Sequence, residues 1–131
     1  MFTYHHMGIP TSEYREGERY TPEFKMYVSG YENNAFRIQW HRYEADSPLH
    51  PSISKIPHVA FKVLDKQQAL AGKKLIMGGP YYPLEGFQVA FIEEGGAPIE
   101  FIQTLLTEEE IMARAEARSL RSEKHIPETL T

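Results

Sequence analysis

Four side chains able to bind a metal ion stand at matched places in the two halves of this chain. His6 opens the segment His6-Met7-Gly8-Ile9 and Gln39 sits inside Ile38-Gln39-Trp40. His58 then opens His58-Val59-Ala60-Phe61, and Glu100 sits inside Ile99-Glu100-Phe101. Two copies of one supersecondary unit usually pair about a pseudo-two-fold axis, which can bring equivalent side chains to one point. His, Gln, His and Glu together make a metal-site inventory.

The elements that must position these residues show as alternations of apolar and polar side chains. Phe2 to Pro10 is rich in β-formers and reads as a first strand. Thr11 to Pro22 has no helical apolar stripe, so a crossover helix there is short or absent. A strand from Phe24 to Glu32, a turn at Glu32-Asn33-Asn34 and a return strand from Phe36 to Ala45 follow. Pro48, Pro51 and Pro57 mark a linker between the halves. The second half opens with a strand carrying Val59, Phe61 and Val63, after which Asp65 caps a helix running to Gly72. Leu75 to Met77 reads as a short strand broken by Gly78-Gly79-Pro80, and Tyr81 to Gly86 as a loop. Phe87 to Ile92 and Pro98 to Leu105 are strands joined at Glu93-Glu94-Gly95-Gly96-Ala97. Thr107 with Glu110 makes a capping box for a helix through about Ser119, and Leu120 to Thr131 is a polar tail.

Strand alternation adds a positional argument. Val59, Phe61 and Val63 share one face and His58 the other, while Ile99 and Phe101 flank Glu100 as Ile38 and Trp40 flank Gln39. Each donor therefore faces away from an apolar face, and all four point into a concave sheet. His41 and Tyr43 share the parity of Gln39, and Lys62 that of His58, so all three are candidates to line the same cavity. His41 is further a candidate substrate-binding acid or base. His5 shares parity with Met7 and Ile9 and is assigned to the core side. Tyr81 and Tyr82 are candidates for a lid over a small ligand.

Strand, crossover and three strands, repeated with a donor on the first and last strand of each unit, resemble the vicinal oxygen chelate superfamily. That superfamily includes glyoxalases, methylmalonyl-CoA epimerases, extradiol dioxygenases and bleomycin-resistance proteins. The resemblance is carried by HHMGI, IPHVAFKV and FQVAFIEEGGAPIEFI and spans roughly residues 2 to 105. It implies an α+β fold of two paired βαβββ modules in a cupped mixed sheet, with an extra C-terminal helix. A glyoxalase-like domain would occupy 1–106, module one about 2–46 and module two about 56–106, and residues 107–131 would form the helix and tail. It also implies that His6, Gln39, His58 and Glu100 hold one divalent ion, a set most similar to the epimerase branch. Glu100 would double as a base, and the chain would form a homodimer.

Imidazole and oxygen donors suit Zn, Ni, Co, Mn or Fe, and nothing in the set selects one of them. The expected chemistry is that of an isomerase or lyase acting through a metal-stabilised enediolate on a small oxygen-rich substrate. An Fe(II) extradiol-type dioxygenase, or a non-catalytic binding protein of the same fold, is the alternative. Composition narrows the partners. A net charge of -4 without a basic cluster argues against nucleic acid and anionic membrane, leaving a small molecule or another copy of the chain. The absence of cysteine excludes thiolate metal sites and disulfides. With no leader-like start and no run of about 20 apolar residues, a cytoplasmic location is expected. At 131 residues the two halves must share one core.

Overall fold

The computed structural model describes residues 2–123, with backbone alone for 77–82 and 119–123. The polar tail beyond 123 and the side chains of Tyr81 and Tyr82 therefore lie outside the described residues.

Eight strands form one mixed sheet. They are β1 (Phe2–Pro10), β2 (Arg19–Thr21), β3 (Met26–Ser29), β4 (Ile38–Tyr43), β5 (His58–Val63), β6 (Lys74–Leu84), β7 (Phe87–Glu94) and β8 (Ala97–Thr104). Their order across the sheet is β2-β3-β4-β1-β5-β8-β7-β6. Within each half the first strand pairs in parallel with the last, β1 with β4 and β5 with β8. The halves meet where β1 and β5 pair antiparallel. The fold is α+β, and the donor-bearing strands are the four at the centre of the sheet.

In the second half the crossover is helical. Asp65 caps α2 (Lys66–Leu70) by accepting from Gln68 N over 3.2 Å. Ala69 and Leu70 pack with Phe61, Val63, Ile92, Ile99 and Phe101, so the outer face of this half is covered by its own helix. The first half has no such helix. Its crossover is instead pinned by polar anchors: Arg42 makes paired bonds of 2.8 and 2.6 Å to Glu18, and the Arg15 guanidinium stacks 3.8 Å from the Trp40 ring.

Three local expectations are corrected. The linker holds a short helix, α1 (Pro51–Ser54), started by the His50 side chain accepting from Ser52 N and by proline in the first turn. Ile53 on α1 is almost wholly buried against Met26, Leu49, Ile76 and Phe91. That burial contributes about 1.5–3 kcal/mol, whereas a four-residue helix has no stability of its own. Strand β6 runs through Gly78-Gly79-Pro80 instead of breaking there, with its register against β7 slipping between Ile76 and Tyr81 and again before Leu84. As the last strand of the sheet it tolerates proline, since one row of its backbone groups needs no strand partner. The expected 32–34 hairpin turn is a longer connection. One turn of 3-10 helix at Tyr31–Asn33 precedes Asn34, whose side chain bonds the backbone of Gly30, Phe36 and Ile38. Gly30 is needed there, because its φ is 94° and a Cβ would stand 2.4 Å from the Trp40 ring.

The C-terminal helix α3 (Glu108–Glu123) begins with the expected capping box: Glu110 N bonds Thr107 Oγ1 at 3.1 Å, and Thr107 N bonds Glu110 Oε1 at 2.9 Å. Ile111 packs on Ala60, Phe87, Val89 and Ile102, so α3 lies over the concave face, and it also packs against β2. Among the described residues no helix is long and apolar enough to cross a membrane.

Candidate metal centre

Register explains how distant residues converge. Across the sheet, Gly8 on β1 is the partner of both Gln39 on β4 and His58 on β5. In the neighbouring row His6 faces Ala60, Ala60 faces Glu100, and Glu100 faces Phe91. Each row thus places a residue with little or no side chain between large ones. A Cβ on Gly8 would stand 2.2 Å from His58 Cε1, so the imidazole lies in space that only glycine leaves open.

His6, His58 and Glu100 come together, all three less than a tenth exposed, with donor atoms within 4.8 Å of one another. Glu100 Oε1 is 3.0 Å from His58 Nε2 and 3.4 Å from His6 Nε2. Donors about 2.1 Å from an ion lie about 3.0 Å apart at octahedral angles and about 3.4 Å apart at tetrahedral ones. The two spacings to Glu100 match these values. His6 Nε2, the nitrogen facing Glu100, is moreover buried without a hydrogen-bond partner, which costs free energy unless something else binds there. The buried group could hold a metal ion.

Gln39 stands one strand further out, with its Oε1 2.7 Å from His41 Nε2. An amide oxygen only accepts, so His41 carries its hydrogen on Nε2 and turns its other nitrogen to the Tyr43 hydroxyl at 3.1 Å. Gln39, His41 and Tyr43 all line the cavity. Lys62 shares the His58 face but is half-buried outside the cavity walls.

His5 breaks the expected alternation. The β1 register against β5 shifts between Tyr4 and His6, and this bulge leaves two successive histidines buried and lining the same cavity. His5 Nδ1 lies 2.7 Å from His6 Nδ1, and its Nε2 lies 3.1 Å from the Tyr31 hydroxyl and 3.2 Å from Glu108 Oε1. Sequence reasoning placed neither Tyr31 nor Glu108 at the site. Strict alternation hid the link, and only the adjacent pair His5-His6 hinted at it.

Burial governs the charges. By itself it would raise the Glu100 carboxyl, but the hydrogen bond from His58 and the His6 imidazole beside it outweigh burial and hold Glu100 well below the usual carboxylate range. His41 is pushed well below the ordinary histidine value by burial first, then by His58 and His6. His5 is lowered to about 4 by the same two causes, burial and then His6. Glu100 is therefore an anion at neutral pH, and His5 and His41 are neutral.

The cavity measures about 180 Å³. Met26, Val28, Leu49, Phe87, Val89 and Phe91 supply apolar walls, and α1 and α3 contribute Ile53 and Ile111. An oxygen-rich substrate alone would leave those walls poorly used. The histidines and Glu100 form a polar patch beside these apolar walls.

No protein-family model matches the sequence, and no curated protein matches it either. Solved structures do. A hypothetical protein from Bacillus halodurans aligns over 81% of this chain and 96% of its own, with a TM-score of 0.58 at 17% identity. Methylmalonyl-CoA epimerase from Mycobacterium tuberculosis aligns over 79% of this chain and 89% of its own, with a TM-score of 0.56 at 16% identity. At the level of fold, this chain is similar to methylmalonyl-CoA epimerase.

Proposed function

We propose that this chain is a divalent-metal-dependent enzyme of glyoxalase or epimerase type, acting as an isomerase or lyase on a small substrate with two neighbouring oxygens and an apolar body. The observation that carries the reading is the convergence of His6, His58 and Glu100 on one buried point inside a chamber with apolar walls. His6 and His58 supply nitrogen donors and Glu100 an anionic oxygen. Gln39 is the fourth donor of the proposal, since its oxygen keeps a second lone pair beside the bond from His41. An ion held by His6, His58 and Glu100 would supply Lewis-acid polarisation of a carbonyl and lower the cost of negative charge developing beside it.

The protein's own groups orient the substrate and move the proton. Phe87, Val89 and Phe91 bound the apolar body and exclude water, which strengthens every charge interaction inside. Glu100, held as a strongly acidic carboxyl, suits the role of donor better than that of base. His41, lining the cavity, is the acid or base this reading assigns. Two histidines with one carboxylate also describe non-haem Fe(II) oxygenases, and that donor set supports the second reading.

Metal analysis of protein purified without chelator tests the site. The native chain should carry close to one ion, while Glu100→Gln and His58→Ala should each lose most of it. Full metal content in both variants would remove the assignment. Exchange of a substrate proton with deuterium from solvent then supports the isomerase or lyase reading, and oxygen consumption on turnover supports the oxygenase.

A further inference from the structure

Behind His6 runs a chain of polar contacts that ends on α3. Tyr31 donates to Glu108 Oε2 over 2.6 Å, and Glu108 Oε1 lies 3.2 Å from His5 Nε2. The Tyr31 oxygen is 3.1 Å from the same nitrogen, and His5 Nδ1 is 2.7 Å from His6 Nδ1. With His5 neutral, the hydrogens around its two nitrogens have one consistent arrangement. A carboxylate only accepts, and the single hydroxyl hydrogen of Tyr31 already points at it. Both partners of His5 Nε2 are thus acceptors, so that nitrogen carries the hydrogen. A neutral imidazole has only one, which leaves His5 Nδ1 bare. The hydrogen in the 2.7 Å contact then belongs to His6 Nδ1, and a neutral His6 keeps its lone pair on Nε2, the buried atom without a hydrogen-bond partner that lies 3.4 Å from Glu100 Oε1 across the point an ion would occupy.

We propose that Glu108 is a positioning residue for the metal centre: through His5 it sets the His6 tautomer whose Nε2 lone pair faces the site. The proposal rests on the metal reading above, while Glu108 itself stands outside the cavity walls. It gives the C-terminal helix a task that the paired modules do not supply. Tyr31 holds the carboxylate in place, and it also sets a trap. With Glu108 removed, the hydroxyl hydrogen of Tyr31 is released and turns to His5 Nε2. That reverses the chain: His5 donates from Nδ1, His6 accepts there, and His6 Nε2 acquires the hydrogen that blocks it as a donor to metal.

Long-range nitrogen-15 spectra of the histidines in the metal-free full-length protein, followed by Co²⁺ titration, test the proposal. The wild-type chain should show His6 with its hydrogen on Nδ1. Glu108→Ala should move it to Nε2 and weaken Co²⁺ binding by about 10- to 100-fold, the usual cost of losing an outer partner. Adding Tyr31→Phe to Glu108→Ala removes the reversing donor and should recover part of the lost affinity, which a merely structural role for either residue would not do. Tyr31→Phe alone leaves Glu108 as acceptor and should keep the wild-type tautomer with the start of α3 intact. An Nε2 hydrogen on His6 in the wild type, a changed tautomer in Tyr31→Phe alone, or a double variant no better than Glu108→Ala would overturn the relay. Glu100→Gln, titrated alongside, separates the two ideas. If it loses Co²⁺ while Glu108→Ala behaves as wild type, only the relay fails; if it binds Co²⁺ undiminished, the metal reading itself fails.

Discussion

Gly8 shows how a single residue can decide whether the centre exists. It separates Gln39 from His58 in one row of the sheet, and the His58 ring occupies the space its missing side chain leaves. Phe91 and His41 hold that ring from other sides, with centroids 5.0 and 5.4 Å away. Gly8→Ala should therefore cost about 1–3 kcal/mol by urea denaturation, as overpacking does, and should also lower metal content. Undiminished metal content in a folded Gly8→Ala variant would count against His58 as a donor. Protonation gives a second expectation. His5 titrates near 4 in the folded protein against 6.5 ordinarily, and His41 is displaced the same way, so on acidification the unfolded chain takes up protons first. Stability present above about pH 6.5 should be lost as the pH falls toward 4, and Glu100 and Glu108, also lowered, extend the loss below that. A urea midpoint for metal-free protein that stays flat from pH 7.5 to 4.5 would contradict this. At this scale the positions of His6, His58 and Glu100 were legible, because alternation around Val59 and around Ile99 and Phe101 reports which way a strand side chain points. His5 was not legible, since one extra residue in β1 defeats any argument from parity.

Among the elements, α3 carries the most consequence beyond its own stability. Its first turn holds Glu108, its second buries Ile111 on the concave face, and its start depends on the Thr107 and Glu110 box. Thr107→Ala should cost about 1 kcal/mol through the lost cap. If the first turn frays as a result, metal affinity should fall as well, although Thr107 contacts none of the donors; calorimetric titration beside thermal melts checks both. Unchanged affinity in a destabilised variant would show that α3 and the centre are uncoupled. The capping box made this helix readable from its first residue. Three other elements left weaker traces. Strand β2 is only three residues, Arg19 to Thr21, too short for alternation to register. Helix α1 begins on a histidine cap, which is not among the usual capping residues. Strand β6 contains glycine and proline that would end an interior strand, and it survives because it lies at the sheet edge.

Over the whole molecule, the two copies of one phrase predicted the paired halves and the α+β fold, and the antiparallel meeting of β1 and β5 is what they become. What closes the cup was not readable in the repeat. The cover comes from α1 in the linker and α3 after the second copy, two pieces that belong to neither unit and whose apolar contacts are mostly with distant strands. The apolar character of the chamber was hidden for the same reason, because Leu49, Ile53 and Ile111 show their purpose only when folded over the sheet. The separation of the donors has a kinetic consequence. Residues 6, 58 and 100 meet only when both halves have docked, so no early fragment of the chain offers an ion more than one or two of them. Saturating metal should then prolong the lifetime of the native state while leaving the refolding rate as it was, the mark of an interaction formed after the barrier. Stopped-flow refolding and unfolding with and without Zn²⁺ would display it as a shift of the unfolding limb alone.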